Sequence, residues 1–278
     1  MDEQAKQRMK PLVSVIMSVY NGEQFLQQAI GSILSQTYTN WEFIIIDDAS
    51  NEATQDILSL YANDGRFRIT RQPENKGLTK NLNISVGMSK GEYIARMDAD
   101  DISLPNRFEE QVFYLEQHPE TMAVFSLVQL IDENGKPAGS WPDDSKATSY
   151  EAIRRLLPLR NCVAHPTVMI RKKILQEYGY NEKQLHSQDW DLWLRLVNDG
   201  KRIEKINNTL LLYRIHKDSV TRISNKKSAF LKIHQSYKPY LQQVWKERKL
   251  NWFNFRVWLG FVSNSIKLGL SKIKRSIS

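Results

Sequence analysis

The stretch Gly91-Glu-Tyr-Ile-Ala-Arg-Met-Asp-Ala-Asp-Asp101 is an apolar run that ends in three carboxylates within four positions. The run predicts a buried strand ending at Met97. Three negative charges at the end of a strand repel one another unless a positive group lies among them. A hard cation such as Mg²⁺ meets this need, because it binds one or two carboxylates together with a substrate's phosphates. The alternative is a solvated acidic turn, since Asp101 to Pro105 also has the pattern of a helix start.

Apolar runs and helical patterns alternate on both sides of this stretch. The predicted strands are Leu12–Tyr20, Trp41–Ile46, Phe67–Thr70, Glu92–Met97, Met122–Ile131 and Leu210–Ile215, with Cys162–Ile170 extended. The predicted helices are Gly22–Gln36, Thr54–Ala62, Leu78–Met88, Pro105–Gln117, Tyr150–Leu157 and Asp189–Val197. The alternation predicts an α/β fold with a mostly parallel, twisted sheet and helices on both faces.

Polar residues follow three of the predicted strands, at Tyr20-Asn21, at Asp47-Asp48 and at Asp98 to Asp101. Ligands of open α/β sheets bind beyond the carboxyl ends of the strands. Three polar ends on one rim favour a binding site over three separate solvated turns. The sequence contains neither a dinucleotide-binding glycine motif nor a Walker motif. A bound nucleotide would therefore be held by a metal and by side chains at the strand ends.

The composition is that of an ordinary globular protein, with 278 residues, 41% hydrophobic and 25% charged. This length can bury one sizeable core with an extension. The single cysteine, Cys162, excludes an internal disulfide framework and a cysteine-rich zinc site, and fits a reducing compartment. The polar stretch Met1 to Lys10 does not resemble a signal peptide, and no run reaches the roughly 18 apolar residues of a membrane span.

Positive charge is concentrated at the C-terminal end. From Arg222 to Ser278 there are 13 lysines and arginines and one acid, Glu247, a net charge of +12. The preceding residues carry 26 lysines and arginines and 30 acids, a net charge of −4. We therefore predict a domain over residues 1–222 and a basic, helical extension over residues 223–278.

The extension also carries apolar and aromatic residues at helical spacing. The residues at helical spacing are Phe255, Leu259, Val262, Ile266, Leu270 and Ile273, with Lys267, Ser271 and Lys274 on the opposite side. Further aromatic residues of the extension are Trp245, Trp252, Phe253, Trp258 and Phe261. Aromatic residues combined with lysines are typical of a helix that lies in a membrane interface, because the lysines attract anionic lipid. The alternative is a helix packed on the preceding domain with a solvated basic face. Nucleic-acid binding is disfavoured, because no recognised binding motif accompanies the charge.

Six segments together resemble a known family. They are Val13-Ser-Val-Ile-Met-Ser-Val-Tyr-Asn21, Ile45-Ile-Asp-Asp-Ala-Ser50, Asn75-Lys-Gly-Leu-Thr-Lys-Asn-Leu-Asn83, Ala95-Arg-Met-Asp-Ala-Asp-Asp101, Asp189-Trp-Asp-Leu-Trp-Leu-Arg195 and Tyr213-Arg-Ile-His216. In this order the chain resembles the family 2 glycosyltransferases, from about Leu12 to about Arg222. The resemblance implies the A-type nucleotide-sugar fold (GT-A) and a catalytic domain over residues 1–222.

The resemblance implies a donor site at the ends of the first two strands. Asp47 and Asp48 would face the nucleotide, one accepting a hydrogen bond from the base, although one could instead cap the following helix. Tyr20 and Asn21 would line the same pocket, with a core position as the alternative for Tyr20. Gly77 would let the backbone approach the donor, or would simply serve the start of a helix.

The acidic stretch matches the family's metal and sugar-nucleotide motif. The resemblance makes Asp100 the direct ligand of Mn²⁺ or Mg²⁺ and places Asp98 nearer the ribose and the sugar. Asp101 would take part or cap the helix. His216 matches a histidine that contacts the metal or the diphosphate, or is a structural residue. Arg214 would pair with phosphate, or with an acid on a neighbouring strand.

The resemblance assigns Asp189 as the general base that takes the proton from the acceptor hydroxyl; the alternative is a helix N-cap. The family usually has an acid directly before this position, where this chain has Gln188. Asp191 would be structural or bind the acceptor, and His165, in His165-Pro-Thr167, is a further acceptor-site candidate.

The implied activity is metal-dependent, inverting transfer of a hexosyl or N-acetylhexosaminyl group. The donor would be a nucleotide-diphosphate sugar, with UDP as the expected nucleotide, and the acceptor a glycan or a lipid-linked saccharide in cell-surface polysaccharide synthesis. The expected location is the cytoplasm, at the inner face of the cell membrane. The alternatives are a nucleotidyltransferase acting on a sugar phosphate and a degenerate, membrane-associated binding protein.

Overall fold

The computed structural model describes residues 10–141, 144–184, 187–217 and 226–276. Its strands are β1 (Val13–Val19), β2 (Trp41–Asp47), β3 (Phe67–Arg71), β4 (Tyr93–Arg96), β5 (Ile102–Ser103), β6 (Thr121–Ile131), β7 (Pro137–Ser140), β8 (Met169–Arg171) and β9 (Arg202–Arg214). Its α-helices are α1 (Leu26–Leu34), α2 (Glu52–Ser59), α3 (Leu78–Met88), α4 (Arg107–Gln117), α5 (Tyr150–Leu156), α6 (Lys172–Tyr178), α7 (Gln188–Asn198), α8 (Lys226–Lys246) and α9 (Trp252–Ser276).

The described strands form one sheet in the order β3-β2-β1-β4-β8-β6-β9-β5, with β7 beside β6. The N-terminal half, β3-β2-β1-β4, is parallel throughout, as the alternating pattern predicts. The other half is mixed: β8 runs antiparallel to both β4 and β6, whereas β6 and β9 are parallel. The predicted α/β fold is confirmed, and the sheet is parallel only in its first half.

Several short elements differ from the sequence-based expectation. The segment predicted to be extended over Cys162–Ile170 contains a 3-10 turn, His165–Thr167, before β8. β5, β7 and α6 were not predicted. β5 has only two residues, and β7 is exposed at every position, so neither carries the alternation that identifies a half-buried strand. Leu78–Met88, in contrast, is helical over the range its spacing predicts.

The sheet separates two hydrophobic cores, because successive strand residues point to opposite faces. On β1, Val15 and Met17 pack in the core beneath α1 and α4, whereas Ile16 packs in the core beneath α3 and α7. Helices therefore cover both faces, as expected.

Helices α8 and α9 pack on the second of these cores. Tyr237 of α8 and Val257 of α9 are buried in the same cluster as Trp190 of α7, and the Trp190 and Tyr237 rings are 4.7 Å apart. The expected boundary after residue 222 lies outside the described residues, so the division into residues 1–222 and 223–278 stays a prediction. Among the described residues, no helix combines the length and the apolar character needed to cross a membrane.

Candidate active site

The carboxyl ends of β1, β2 and β4 lie side by side at one edge of the sheet. Val19 of β1 is level with Asp47 of β2, and the loops after β1 and β4 are in contact. A Cβ atom on Gly22 would lie 3.6 Å from the Cβ of Ala99. The three polar strand ends predicted from the sequence therefore share one rim, where open α/β sheets bind their ligands.

Three carboxylates converge on this rim. Asp98, Asp100 and Asp101 each place one carboxylate oxygen within 4.8 Å of the other two. Burial, reinforced by the charges of Asp100 and Asp98, raises the pKa of Asp101 well above its usual value. Its Oδ2 is buried without a hydrogen-bond partner in the described part of the chain. Three oxygen donors, one of them unsatisfied, fit a hard divalent cation.

Arg96, the last residue of β4, is a buried cation that pairs directly with one of these acids. Its guanidinium binds both carboxylate oxygens of Asp98, with 2.7 Å from Nη1 to Oδ2. Burial raises the pKa of Asp98 and Asp100 adds to the rise, whereas Arg96 opposes it. Arg96 is 5% exposed, so its charge acts in a poorly screened environment.

Arg214, at the end of β9, holds the acidic turn through the backbone. Its N–H donates to Asp101 Oδ1 at 2.9 Å, and its Nε donates to the carbonyl oxygen of Asp100 at 2.8 Å. The remaining guanidinium contacts are two carbonyl oxygens, of Asp132 and Glu133, and the side chain of Gln28. Arg214 is buried and positions the carboxylates, while its expected contact with phosphate stays a prediction.

His216 reaches the same turn from the segment after β9. Its Nε2 lies 3.0 Å from Asp100 Oδ2, and its ring packs against Phe25 with 5.1 Å between centroids. The structure thus brings together the two residues predicted to contact the metal.

The residues expected to bind the nucleotide lie at the ends of β1 and β2. Asp48 accepts hydrogen bonds from the backbone N–H groups of Lys76, at 2.7 Å, and Gly77, at 3.0 Å. Asp47 accepts one from the Ser50 N–H at 2.9 Å. Both aspartates are buried, and part of their hydrogen-bonding capacity is used by the protein.

The other three donor-site candidates differ in exposure and conformation. Tyr20 is 56% exposed and is therefore not a core aromatic. Asn21 has a φ of 50° and accepts a hydrogen bond from the Asn51 N–H, which ties the β1 loop to α2. Gly77 has a φ of 84° and open space where a side chain would project. Its backbone conformation alone favours glycine, and a ligand has room to approach.

Asp189 lies in the first turn of α7, near enough to the acidic turn for its charge to help raise the pKa of Asp98. It is not the N-cap, which is Ser187. Its Oδ2 accepts a 2.6 Å hydrogen bond from Asn161 Nδ2. Burial raises the pKa of Asp189, while hydrogen bonds from the Trp190 N–H and Asn161 and the charge of Arg96 oppose the rise. A raised pKa makes this carboxylate a stronger base, which suits proton abstraction.

The three acceptor-site candidates lie in different environments. His165 is buried, and its Nε2 lies 2.9 Å from the Tyr180 hydroxyl. Burial, helped by the charge of Arg96, keeps the pKa of His165 well below its usual value. Asp191 is buried and pairs with Arg195 at 2.9 Å, on the opposite side of α7 from Asp189, which favours its structural alternative. Gln188 is half-buried at the start of α7.

Three residues around this site were missed by the sequence analysis: Arg96, Asn161 and Tyr180. Arg96 carried a signal, since a basic residue at the end of a buried strand precedes three acids. Asn161 and Tyr180 carried no such signal. Asn161 lies in the loop before β8 and Tyr180 lies in the loop after α6, and neither loop contains a recognisable pattern. The arrangement combines a candidate cation site with a candidate general base, and the charge of Arg96 acts on both Asp98 and Asp189.

Comparison with known proteins agrees with this geometry. Residues 14–179 match the sequence profile described as Glycosyl transferase family 2. The O-antigen biosynthesis glycosyltransferase WbnJ of Escherichia coli is 37% identical over 220 residues, which cover 77% of this chain and 84% of that protein.

Two solved structures share the fold. The mannosyltransferase PcManGT from Pyrobaculum calidifontis, in complex with GDP-Man and Mn²⁺, has a TM-score of 0.67 at 14% identity, covering 96% of this chain and 76% of that one. S. aureus TarS 1-349, in complex with UDP-GlcNAc, has a TM-score of 0.65 at 18% identity, covering 82% and 66%. The sheet and its helices therefore form the GT-A fold.

Proposed function

This chain belongs to glycosyl transferase family 2, and we propose that it is a metal-dependent, inverting enzyme that uses a nucleotide-diphosphate sugar as donor. The observation that carries the proposal is the convergence of Asp98, Asp100 and Asp101 within 4.8 Å at the carboxyl edge of the sheet. UDP is the proposed nucleotide, and a hexosyl or N-acetylhexosaminyl group is the proposed sugar.

The three carboxylates are the proposed holders of Mn²⁺ or Mg²⁺, with Asp100 as the direct ligand. His216 contacts Asp100 and orients it, or joins the ligand set. When bound, the cation offsets the negative charge that grows on the departing diphosphate. Arg214 and Arg96 keep Asp101 and Asp98 in place from the protein side.

Asp189 is the proposed general base. It takes the proton of an acceptor hydroxyl while that oxygen attacks the anomeric carbon. The bond from the anomeric carbon to the diphosphate oxygen breaks, and the diphosphate leaves with the electron pair. This single displacement inverts the anomeric centre. Asn161 fixes the carboxylate, because its amide donates to Oδ2 at 2.6 Å.

The proposed acceptor is a glycan or a lipid-linked saccharide of a cell-surface polysaccharide. Support comes from the relative WbnJ, whose name places it in O-antigen biosynthesis. The proposed location is the cytoplasmic face of the membrane, with the basic extension as the attachment. Gln188, which directly precedes the base, and His165 are the proposed acceptor contacts.

The test is donor hydrolysis with a panel of UDP, GDP and dTDP sugars and Mn²⁺ or Mg²⁺. We expect metal-dependent release of nucleoside diphosphate from one donor. Asp100→Asn and Asp189→Asn should each lower the rate about 100-fold or more, because both lose a charge needed at the reacting atoms. Asp56→Asn, which changes an exposed carboxylate on α2, is the matched control and should keep the rate.

Failure to bind UDP, GDP or dTDP with either metal in a calorimetric titration would exclude the proposal. Pyrophosphate release from a nucleoside triphosphate and a sugar phosphate would instead support the nucleotidyltransferase alternative.

A further inference from the structure

Helix α9 has an outward face that is more apolar than the face it packs on the protein. The inward positions recur once per helical turn and are Phe253, Asn254, Val257, Gly260 and Asn264, all buried. Besides Ser263 and Lys267, the outward positions are Trp252, Phe255, Trp258, Leu259 and Ile266, which are 41% to 68% exposed. We call these five residues the α9 outer face. An ordinary surface helix has the reverse arrangement, with polar residues outward.

The rotation of α9 is fixed by specific inward contacts. The Tyr240 hydroxyl of α8 donates to Asn254 Oδ1 at 2.5 Å, and Asn254 Nδ2 donates to the Lys249 carbonyl oxygen at 2.6 Å. At Gly260, a Cβ atom would lie 2.6 Å from the Tyr237 hydroxyl and 2.7 Å from the Pro158 carbonyl oxygen. A rotation that turned the outer face inward would break these hydrogen bonds and bring a side chain to the close approach that only Gly260 fits.

The aromatic rings of the outer face stack along the helix. The Trp252 and Phe255 centroids are 5.3 Å apart, and those of Phe255 and Trp258 are 5.9 Å apart. The end of α8 and the turn that follows it also expose large apolar side chains, with Trp245 78% exposed and Leu250 76% exposed. Contiguous apolar surface of this kind usually marks an interaction site.

We propose that the α9 outer face docks on an anionic lipid surface. Exposed cations accompany it, with Lys246 at the end of α8, Arg248 in the α8–α9 turn and Lys267 further along α9. Tryptophan favours the headgroup region of a bilayer, and lysine and arginine favour anionic lipid. The net charge of +12 from Arg222 to Ser278 disfavours a second copy of this chain as the occupant, because two such extensions would repel one another.

This inference deepens the membrane location in the proposed function, and it rests on α9 rather than on the transfer chemistry. Its failure would therefore leave the donor-hydrolysis test unaffected. A docked outer face would hold the rest of the enzyme beside the membrane, where a lipid-linked acceptor would be presented.

The test is flotation of the full chain with vesicles of phosphatidylcholine and phosphatidylglycerol, compared with pure phosphatidylcholine. We expect the protein to float with the anionic vesicles. Salt at about 0.5 M should release it, because salt screens the attraction between its cations and the anionic lipid. The double variant Trp252→Ser/Trp258→Ser should bind roughly tenfold more weakly or worse, because it loses the aromatic part of the surface.

Phe113→Ser is the matched control, since Phe113 is 67% exposed on α4, outside the α9 outer face, and should not change flotation. Donor hydrolysis in the double variant should be unchanged, which shows that the chain still folds. Wild-type protein that does not float, or a double variant that floats equally well, would overturn the proposal. A third outcome would also overturn it: wild-type protein that does not bind lipid but runs as a dimer on size exclusion, with the dimer lost in the double variant.

Discussion

The side-chain amide of Asn161 donates a 2.6 Å hydrogen bond to the carboxylate of Asp189, across 28 residues of sequence. It links the loop before β8 to the first turn of α7. Asn161 is thus a positioning residue, which acts through the proposed base and not on the substrate.

Asn161→Ala should move the acid limb of the activity profile to higher pH. The Asn161 hydrogen bond opposes the burial that raises the pKa of Asp189, so its loss raises that pKa further. Asp189 must be ionised to accept a proton, so activity falls as pH falls through its pKa. The variant should therefore lose more activity at pH 6 than at pH 8, measured as kcat/KM for the donor and acceptor pair.

Asn208→Ala is the matched control for this profile. Asn208 also donates to a carboxylate, that of Glu110 at 2.9 Å, but on the exposed surface. Its profile should coincide with wild type. A parallel loss of activity at all pH values in Asn161→Ala would contradict the pKa effect.

Arg96→Met should lower the free energy of unfolding by about 3 kcal/mol, because it leaves Asp98 beside other acids without its cation. The measurement is urea unfolding at pH 7. Arg96→Lys keeps the charge but not the bidentate geometry, so its loss should be smaller.

Arg66→Met provides the comparison, because Arg66 pairs with Asp64 at 2.7 Å in an exposed position. Breaking that pair should cost less than about 1 kcal/mol, since water screens it. If Arg96→Met and Arg66→Met lowered the free energy of unfolding equally, the buried Arg96–Asp98 pair would stabilise the protein no more than an exposed pair does.

His165 should make the folded state less stable below about pH 6.5, the usual histidine pKa. Burial keeps the folded-state pKa of His165 well below that value, so the unfolded chain binds a proton that the folded chain does not. Stability is therefore full above pH 6.5 and falls as pH decreases toward the folded-state pKa, by about 1.4 kcal/mol per pH unit.

The measurement is the difference in unfolding free energy between wild type and His165→Asn at pH 7.5 and pH 5.5. Asparagine cannot take up the proton, so the difference should shift in favour of the variant at the lower pH. A pH-independent difference would mean that His165 does not stay neutral in the folded protein.

Gly260→Ala should destabilise the packing of α9 on α8 by about 1 to 3 kcal/mol. The added methyl would lie 2.7 Å from a backbone carbonyl oxygen, that of Pro158, which cannot move as a side-chain end can. Thermal unfolding of the full chain provides the measurement.

Gly87→Ala is the control, because Gly87 is an α3 glycine with no atoms near the new methyl. That substitution should stabilise the protein by up to about 1 kcal/mol. If Gly260→Ala were also neutral or stabilising, α9 would not be packed as the structure describes.

Much of the first half of the fold followed from local patterns. The apolar runs that became β1, β2 and β4 are long enough for their periodicity to be read, and their polar ends indicated the rim. The antiparallel insertion of β8 between β4 and β6 could not be predicted, because β8 has three residues and its partners are distant in sequence. Strand order depends on long-range packing, which no short window records.

The sequence by itself determined the chemical groups and the edge of the sheet at which they stand. It placed Asp98 and Asp100 after a buried strand and Asp189 at the start of an amphipathic helix. The tertiary structure decided the partners: Arg96 binds Asp98, Asn161 binds Asp189, and Arg214 turns its guanidinium to backbone carbonyls. It also decided which face of α9 points outward. Periodicity shows that a helix has an apolar face, but only contacts such as Tyr240 with Asn254 determine which face is buried.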